Sequence, residues 1–420
     1  AEREHRRLML QVSHLQGFNA KGEVENVSPD TFATDGATIP WIGDGLTAPA
    51  IYDATLNRTF LSWEAFTLST RQQKATILNH ATGYFSDIEA FGLSPLADDD
   101  HGTPSQVLDH QNYLHAFYGA HNSNMRYSAT RWAIGGAEGA GSLWGIQSEF
   151  AGEFTYPRAI KVSSGLYLFM RKTITASTRL PLVLYKTTAL SNGVATWGSE
   201  ATQVDFEADS RFYMGSAILN GTDIWIVATK ANYTDTARKG VYLFILDTTD
   251  GSIRNYTGLT DTASGSLPIT LALANSDYRI FDHGANRGDI PASCFDTLGT
   301  FHIAWLGGTG ISYALKHASI TAGVLSSTTT IATIKAGTDA GGFVEIIAVV
   351  PRLAGEIELW YPSDEGEAWN QGGDTPVDAQ ARQMSVNIDV DTTPDTYIEH
   401  RELIRLGEAG TTQPPAPTPA

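Results

Sequence analysis

The sequence predicts an all-β protein, a single-domain seven-bladed β-propeller, from three observations. Short apolar runs rich in aromatic and β-branched residues recur along the 420 residues. Gly, Asp, Asn and Ser turns separate them, and two distant stretches read as copies of one unit.

The runs are "YLHAFYG", "GLYLFMR", "DIWIVATK", "GVYLFILDTTDGS", "TFHIAWLGG", "FVEIIAVV" and "EIELWYP". Each has strand length and the residue types that pack on a pleated surface. Helical spacing shows only briefly, in "STRQQKATILNH", residues 69–80. The copies are "QNYLHAFYGAHNSNMRYS" and "LGTFHIAWLGGTGISYAL", each a turn, a strand with a histidine at the same place, a Gly-containing turn and a second strand with a Tyr. Comparable units fit residues 50–86, 156–199, 205–258 and 340–390, and the two ends, "SHLQGFNAKGEV" and "YIEHRELIRL", can combine into one more. Radial closure of four-stranded blades buries the sheet faces of so long a chain in one domain, here residues 1–408. A pair of β-sandwiches has the same strand spacing and stays open as the alternative.

Residues 409–420, which end in "TTQPPAPTPA", form a Pro/Thr-rich tail or linker with nothing to pack. The opening "AEREHRRLML" has neither an initiator Met nor an apolar signal core, so we expect a processed mature form, secreted or periplasmic, whose export signal has been removed. A single cysteine excludes an internal disulfide. No apolar run is long enough for a helical membrane span. The net charge of −18 argues against nucleic acid or an anionic membrane as partner, and a monomer is expected. Residues 121–190 run against that balance, with eight Lys/Arg against three acids. Such an island suits an anionic ligand, although a patchy solvated face gives the same count.

Histidines gather in "DDDHGTPSQVLDHQNYLHAFYGAHNSNMRYS", residues 98–128. Strand alternation puts His115 inside an apolar strand, in the same place as His302 in the other copy, which marks His115 as a packed, hydrogen-bonded residue. His110 is in a turn and is expected to be solvated. His101 and His121 lie at opposite ends of the unit, where loops gather, and are the candidates for chemistry.

These residues carry a resemblance. The same run, then "TYPRAI" and "GLYLFMR" from Thr155 to Arg171, then "SRFYMG" from Ser210, resembles the β-propeller polysaccharide lyases that degrade ulvan, the sulfated rhamnose and uronic acid polysaccharide of green algae. "SNGVATWGS" from Ser191 resembles the Asp-box loops of sialidase-like propellers, without the Asp. The similarity covers residues 95–215 in sequence and is architectural elsewhere. It implies a site at His101, His121, Tyr156, Arg171 and Tyr213, with an anionic algal polysaccharide as substrate. Arg211 and Asn124, close to that set, are expected to contact substrate with Tyr213.

The residue types agree with such a reaction. A lyase removes the C5 proton of a uronic acid and expels the oxygen at C4, so the neighbouring carboxylate must be neutralised as charge spreads onto it. Arginine stays charged and grips a carboxylate through two parallel hydrogen bonds. Histidine titrates near neutrality, and a tyrosine beside an arginine gives up its proton more readily. His121 or His101 with Tyr156 therefore makes an acid/base pair, with the base left open between the histidines. The bland alternatives are a strand-end ion pair for Arg171 and core aromatics for the tyrosines. Two other functions compete. One is a non-catalytic propeller lectin for acidic glycans. The other is a sialidase-like glycoside hydrolase, which would need paired acids or a Tyr nucleophile backed by acids, and residues 102–131 hold Asp109 alone.

A second constellation involves the cysteine. His283 is in a loop, Cys294 ends one strand, His302 follows across the turn at 296–299 and His317 lies on a third strand. Three His and one Cys suit a closed tetrahedral zinc, structural rather than catalytic, with a buried free thiol as the alternative. "ADDDHG" and "DVDTTPD" offer calcium-type oxygens but read first as solvated turns. No dinucleotide or phosphate-loop fingerprint is present, so no organic cofactor is indicated.

Overall fold

The computed structural model describes residues 50–67, 70–94, 96, 102–136, 142–232, 238–259, 261–284, 286–288, 290–309, 312–335, 348–351, 356–360 and 386–389. His101, the Asp98–Asp100 run, most of "DVDTTPD", both ends used for the composite unit and the 409–420 tail lie outside these residues.

The described chain is predominantly antiparallel β, in sheets of five, nine, thirteen and three strands. Strands mostly pair with their sequence neighbours, as in Ser105–Leu108 with Leu114–Tyr118, and Leu114–Tyr118 with His121–Thr130. Seven separate sheets do not appear among the described residues, partly because one long strand joins two units. Trp144–Val162 pairs through its first half with His121–Thr130 and through its second half with Gly165–Lys172.

The apolar runs are continuous because their strands are buried on both faces. In Gly165–Lys172, Leu166, Leu168 and Met170 face one core, with Phe117, Met125 and Phe154. Tyr167 and Phe169, from the opposite face, join Phe212, Ile226 and Phe244 in the next. Arg238–Asp247 repeats the pattern, with Tyr242, Phe244 and Leu246 in that core and Val241, Leu243 and Ile245 in a further one around Phe301 and Trp305. Each such side chain withdrawn from water contributes about 1.5–3 kcal/mol, so stacking sheet on sheet is where the stability lies.

Residues 69–80 are a correction to the helical spacing. Thr70–Asn79 is a strand paired along its length with Arg58–Thr67, burying Gln73 and Ala75 in alternation. Ladder pairing overrides a local preference that a short isolated helix could not sustain. Short helical turns occur instead at Leu271–Leu273 and Ala274–Tyr278. In "SNGVATWGS", Asn192 and Gly193 take positive φ (50° and 75°), the geometry a two-residue hairpin turn requires, and Ser191 pairs with Val194. No helix among the described residues is long and apolar enough to cross a membrane.

Candidate active site

Arg171 occupies the end of an otherwise apolar strand, where it is 5% exposed. Its guanidinium carbon stands 4.5 Å from the Tyr156 ring centroid and 4.8 Å from that of Tyr213. The two rings lie 6.0 Å apart at 45° and pack with Ala231 and Ile290. Nε and Nη1 of Arg171 are buried without a hydrogen-bond partner. A charged group so withdrawn from water is costly unless something arrives to pair with it. The two aromatic faces compensate only in part, since cation–π contacts contribute about 0.5–2 kcal/mol each. The arrangement suits a planar anion accepting two parallel hydrogen bonds.

Two bulges build this corner. Tyr156 has φ +55°, the left-handed region that bulky residues avoid. It falls where the Trp144–Val162 strand slips against Gly165–Lys172: Phe169 pairs with Arg158 but Arg171 with Thr155. On the other side, His121 pairs with Thr155 and Ser123 with Phe154, leaving Asn122 as an extra residue with φ +52°. Bulges re-aim side chains, and strained backbone gathers at functional sites. His121, Thr155 and Arg171 thus form one row across three adjacent strands.

Tyr213 comes from the neighbouring sheet, on Ser210–Asn220. Arg211, two residues earlier, shares its strand face and pairs with Ala231. Asn124 is differently placed: its Oδ1 accepts the Gly152 amide at 2.9 Å, in a depression also lined by Ser123, Glu149 and Glu153. Two acids make that surface a poor host for an anion. The cationic island is dispersed as well. Lys172 is paired with Glu200 at 2.7 Å, and Arg126 donates to the Leu93 carbonyl.

His110, His115, His302 and His317 are held by protein groups. His110 is in its expected turn, but its Nε2 donates to the Val162 carbonyl at 2.6 Å. His115 is fully buried, with Nε2 3.1 Å from Asp109 Oδ2 and Nδ1 2.7 Å from the Tyr127 hydroxyl. His302 repeats this, with Nε2 3.3 Å from Asp296 Oδ2 and Nδ1 3.1 Å from His317 Nε2. Each Asp also caps its hairpin by accepting two backbone amides through Oδ1. Cys294 and His302 are cross-strand partners, and His283 Nε2 is buried without a hydrogen-bond partner. Among the described residues no group of three or more His, Cys, Asp or Glu is gathered closely enough to hold a metal ion. Burial pushes His317 down to about 3, with His302 adding to the effect, and burial and Lys239 push His283 down to about 4, so both rings are neutral at ordinary pH.

Residues 52–321 match the model of the BNR repeat-containing family. The chain belongs to this family. It is also similar to an ulvan lyase of the PL25 group from Pseudoalteromonas sp. (strain PLSV), 30% identical over 111 residues, which span 22% of this chain and 23% of that relative. Among solved structures, a PL25 ulvan lyase bound to -[GlcA(1-4)Rha3S]- has a TM-score of 0.61 at 18% identity, covering 81% of either chain. The polysaccharide lyase Uly1 has a TM-score of 0.51 at 15% identity, covering 86% of this chain and 93% of that one. The BNR chain therefore shares its fold with these lyases.

Proposed function

We propose that this protein is a polysaccharide lyase that cleaves ulvan by β-elimination at a uronic acid. The observation that carries the reading is the buried, partly unpartnered guanidinium of Arg171 between Tyr156 and Tyr213. Similarity to PL25 ulvan lyases supports it independently.

Arg171 grips the uronate carboxylate and stabilises the negative charge that reaches it when the C5 proton leaves. A base, His121 or His101, or Tyr156 for the opposite C5 epimer, takes that proton. The C5–H electrons form the C4–C5 double bond, the bond from C4 to the glycosidic oxygen breaks, and a protonated His or Tyr returns a proton to that oxygen. Each proton transfer contributes about 10²–10⁴ in rate. Tyr213 and Arg211 contact the sugar. The strand units close as a seven-bladed propeller, and the protein is exported and works as a monomer on the anionic algal polysaccharide.

A structural zinc held by His283, Cys294, His302 and His317 belongs to the same proposal. The His302–His317 contact, the Asp296 carboxylate behind His302 and the cross-strand Cys294 support it, but among the described residues the four side chains are not gathered into a site, so binding would have to draw them together and free the His302 Nδ1 now directed at His317.

Incubation with ulvan tests the function. The unsaturated uronate at the new non-reducing end absorbs in the ultraviolet, whereas hydrolysis products and bound intact glycan do not. Rising absorbance is expected. Binding without it would make the protein a lectin, and new reducing ends without it a hydrolase.

A further inference from the structure

We propose that Thr155 is the positioning residue of this site, its buried hydroxyl holding the bulge that sets His121 relative to Arg171. The proposal rests on the lyase reading for its catalytic consequence but on geometry for the positioning itself. Thr155 is fully buried and is the cross-strand partner of both His121 and Arg171. Both bulges touch it, since Tyr156 is its chain neighbour and Asn122 lies opposite. Its Oγ1 accepts the backbone amide of Asn122 at 3.1 Å. The Asn122 side chain in turn accepts a hydrogen bond from the Thr173 hydroxyl, just beyond the strand that carries Arg171.

An extra residue in a ladder has no strand partner for its amide, so the bulge needs another acceptor. Thr155 supplies it, and Asn122 links the His121 strand to the Arg171 strand through Thr173. Without the Thr155 hydroxyl, the amide loses its bond and the bulge can relax toward regular pairing. That moves His121 while leaving the Arg171 guanidinium between its two tyrosines. Catalysis is sensitive to such shifts, because a displacement of about 1 Å can cost about 100-fold.

Thr155→Val keeps the shape and removes the acceptor, whereas Thr155→Ser keeps it. On ulvan, Val should lower kcat about 10- to 100-fold with KM within about twofold, since the carboxylate grip is intact. Ser should recover most of the loss. The His121 imidazole signal in NMR should move in the Val variant and return in the Ser variant, which a purely packing role would not produce. Wild-type kcat and an unmoved His121 signal in Thr155→Val would overturn the proposal, as would equal loss of melting temperature in Val and Ser with kcat per folded molecule unchanged. If Thr155→Val does not fold, Thr173→Val should move the same signal to a smaller extent, and an unmoved signal there would count against the latch. A wild-type protein without lyase activity whose His121 signal still responds would sink the lyase reading and leave the positioning role standing.

Discussion

The guanidinium of Arg171 is held 4.5 Å from the centre of the Tyr156 ring, while Tyr156 itself sits in a backbone conformation few tyrosines adopt. The strain has a use if it lays the ring against the cation and brings its hydroxyl to the anion the cation receives. Arg171→Ala should therefore abolish turnover on ulvan while the melting temperature changes little. Arg171→Lys should restore little, because an ammonium cannot reproduce two parallel hydrogen bonds. Near wild-type kcat/KM in the Lys variant would remove Arg171 from the carboxylate site.

Proton transfer should fail when the hydroxyl or the imidazole is removed. Tyr156→Phe keeps the ring against Arg171 and deletes only the oxygen, so it isolates chemistry from packing. A loss of at least about 100-fold in kcat is expected for it and for His121→Ala, with His101→Ala similar or milder. Full rate in Tyr156→Phe on substrates containing glucuronate and on those containing iduronate would refute the acid/base assignment.

The strand identities were legible because doubly buried strands write themselves as continuous apolar runs, as "GLYLFM" does before Arg171. Residues 70–79 were not, since hairpin pairing with residues 58–67 decided their state and pairing has no local signature. The place shared by His115 and His302 is visible in sequence, and the Asp109 and Asp296 behind them carry a signal of their own. Both Asp residues precede their histidine by six positions, and that spacing was available. Thr155 and Asn122 could not be read at all. Their roles arise from two register slips, and a bulge at a non-Gly residue leaves no compositional mark.

The zinc proposal can be measured apart from catalysis. Elemental analysis should find about one zinc per chain. Cys294→Ser should lower the melting temperature while the rate per folded molecule stays nearly unchanged, because Cys294 lies in a core with Phe301 and Trp305 and not beside Arg171. Metal-free protein with an unaltered melting temperature would leave His302 and His317 as a hydrogen-bonded pair and Cys294 as a packed thiol.

The Asp109–His115–Tyr127 chain should make the fold acid-sensitive in a defined direction. Burial of the Asp109 carboxyl works to raise its pKa, but the hydrogen bond with His115 and those from the Tyr113 and Gln111 amides outweigh it and hold the group below its ordinary 3.8. A carboxylate whose folded pKa is depressed adds stability at pH values above its unfolded pKa. That contribution is lost as pH falls through the folded value, when the native state must also take up the proton. Asp109→Asn removes the charge and forces an amide against His115, at a cost of about 1–3 kcal/mol near neutral pH. Urea midpoints measured from neutral pH into the acid range should show the gap between wild type and variant narrowing as pH drops below the carboxylate range. A gap constant across that range would mean that the Asp109 charge contributes nothing and that the hairpin is held by packing alone.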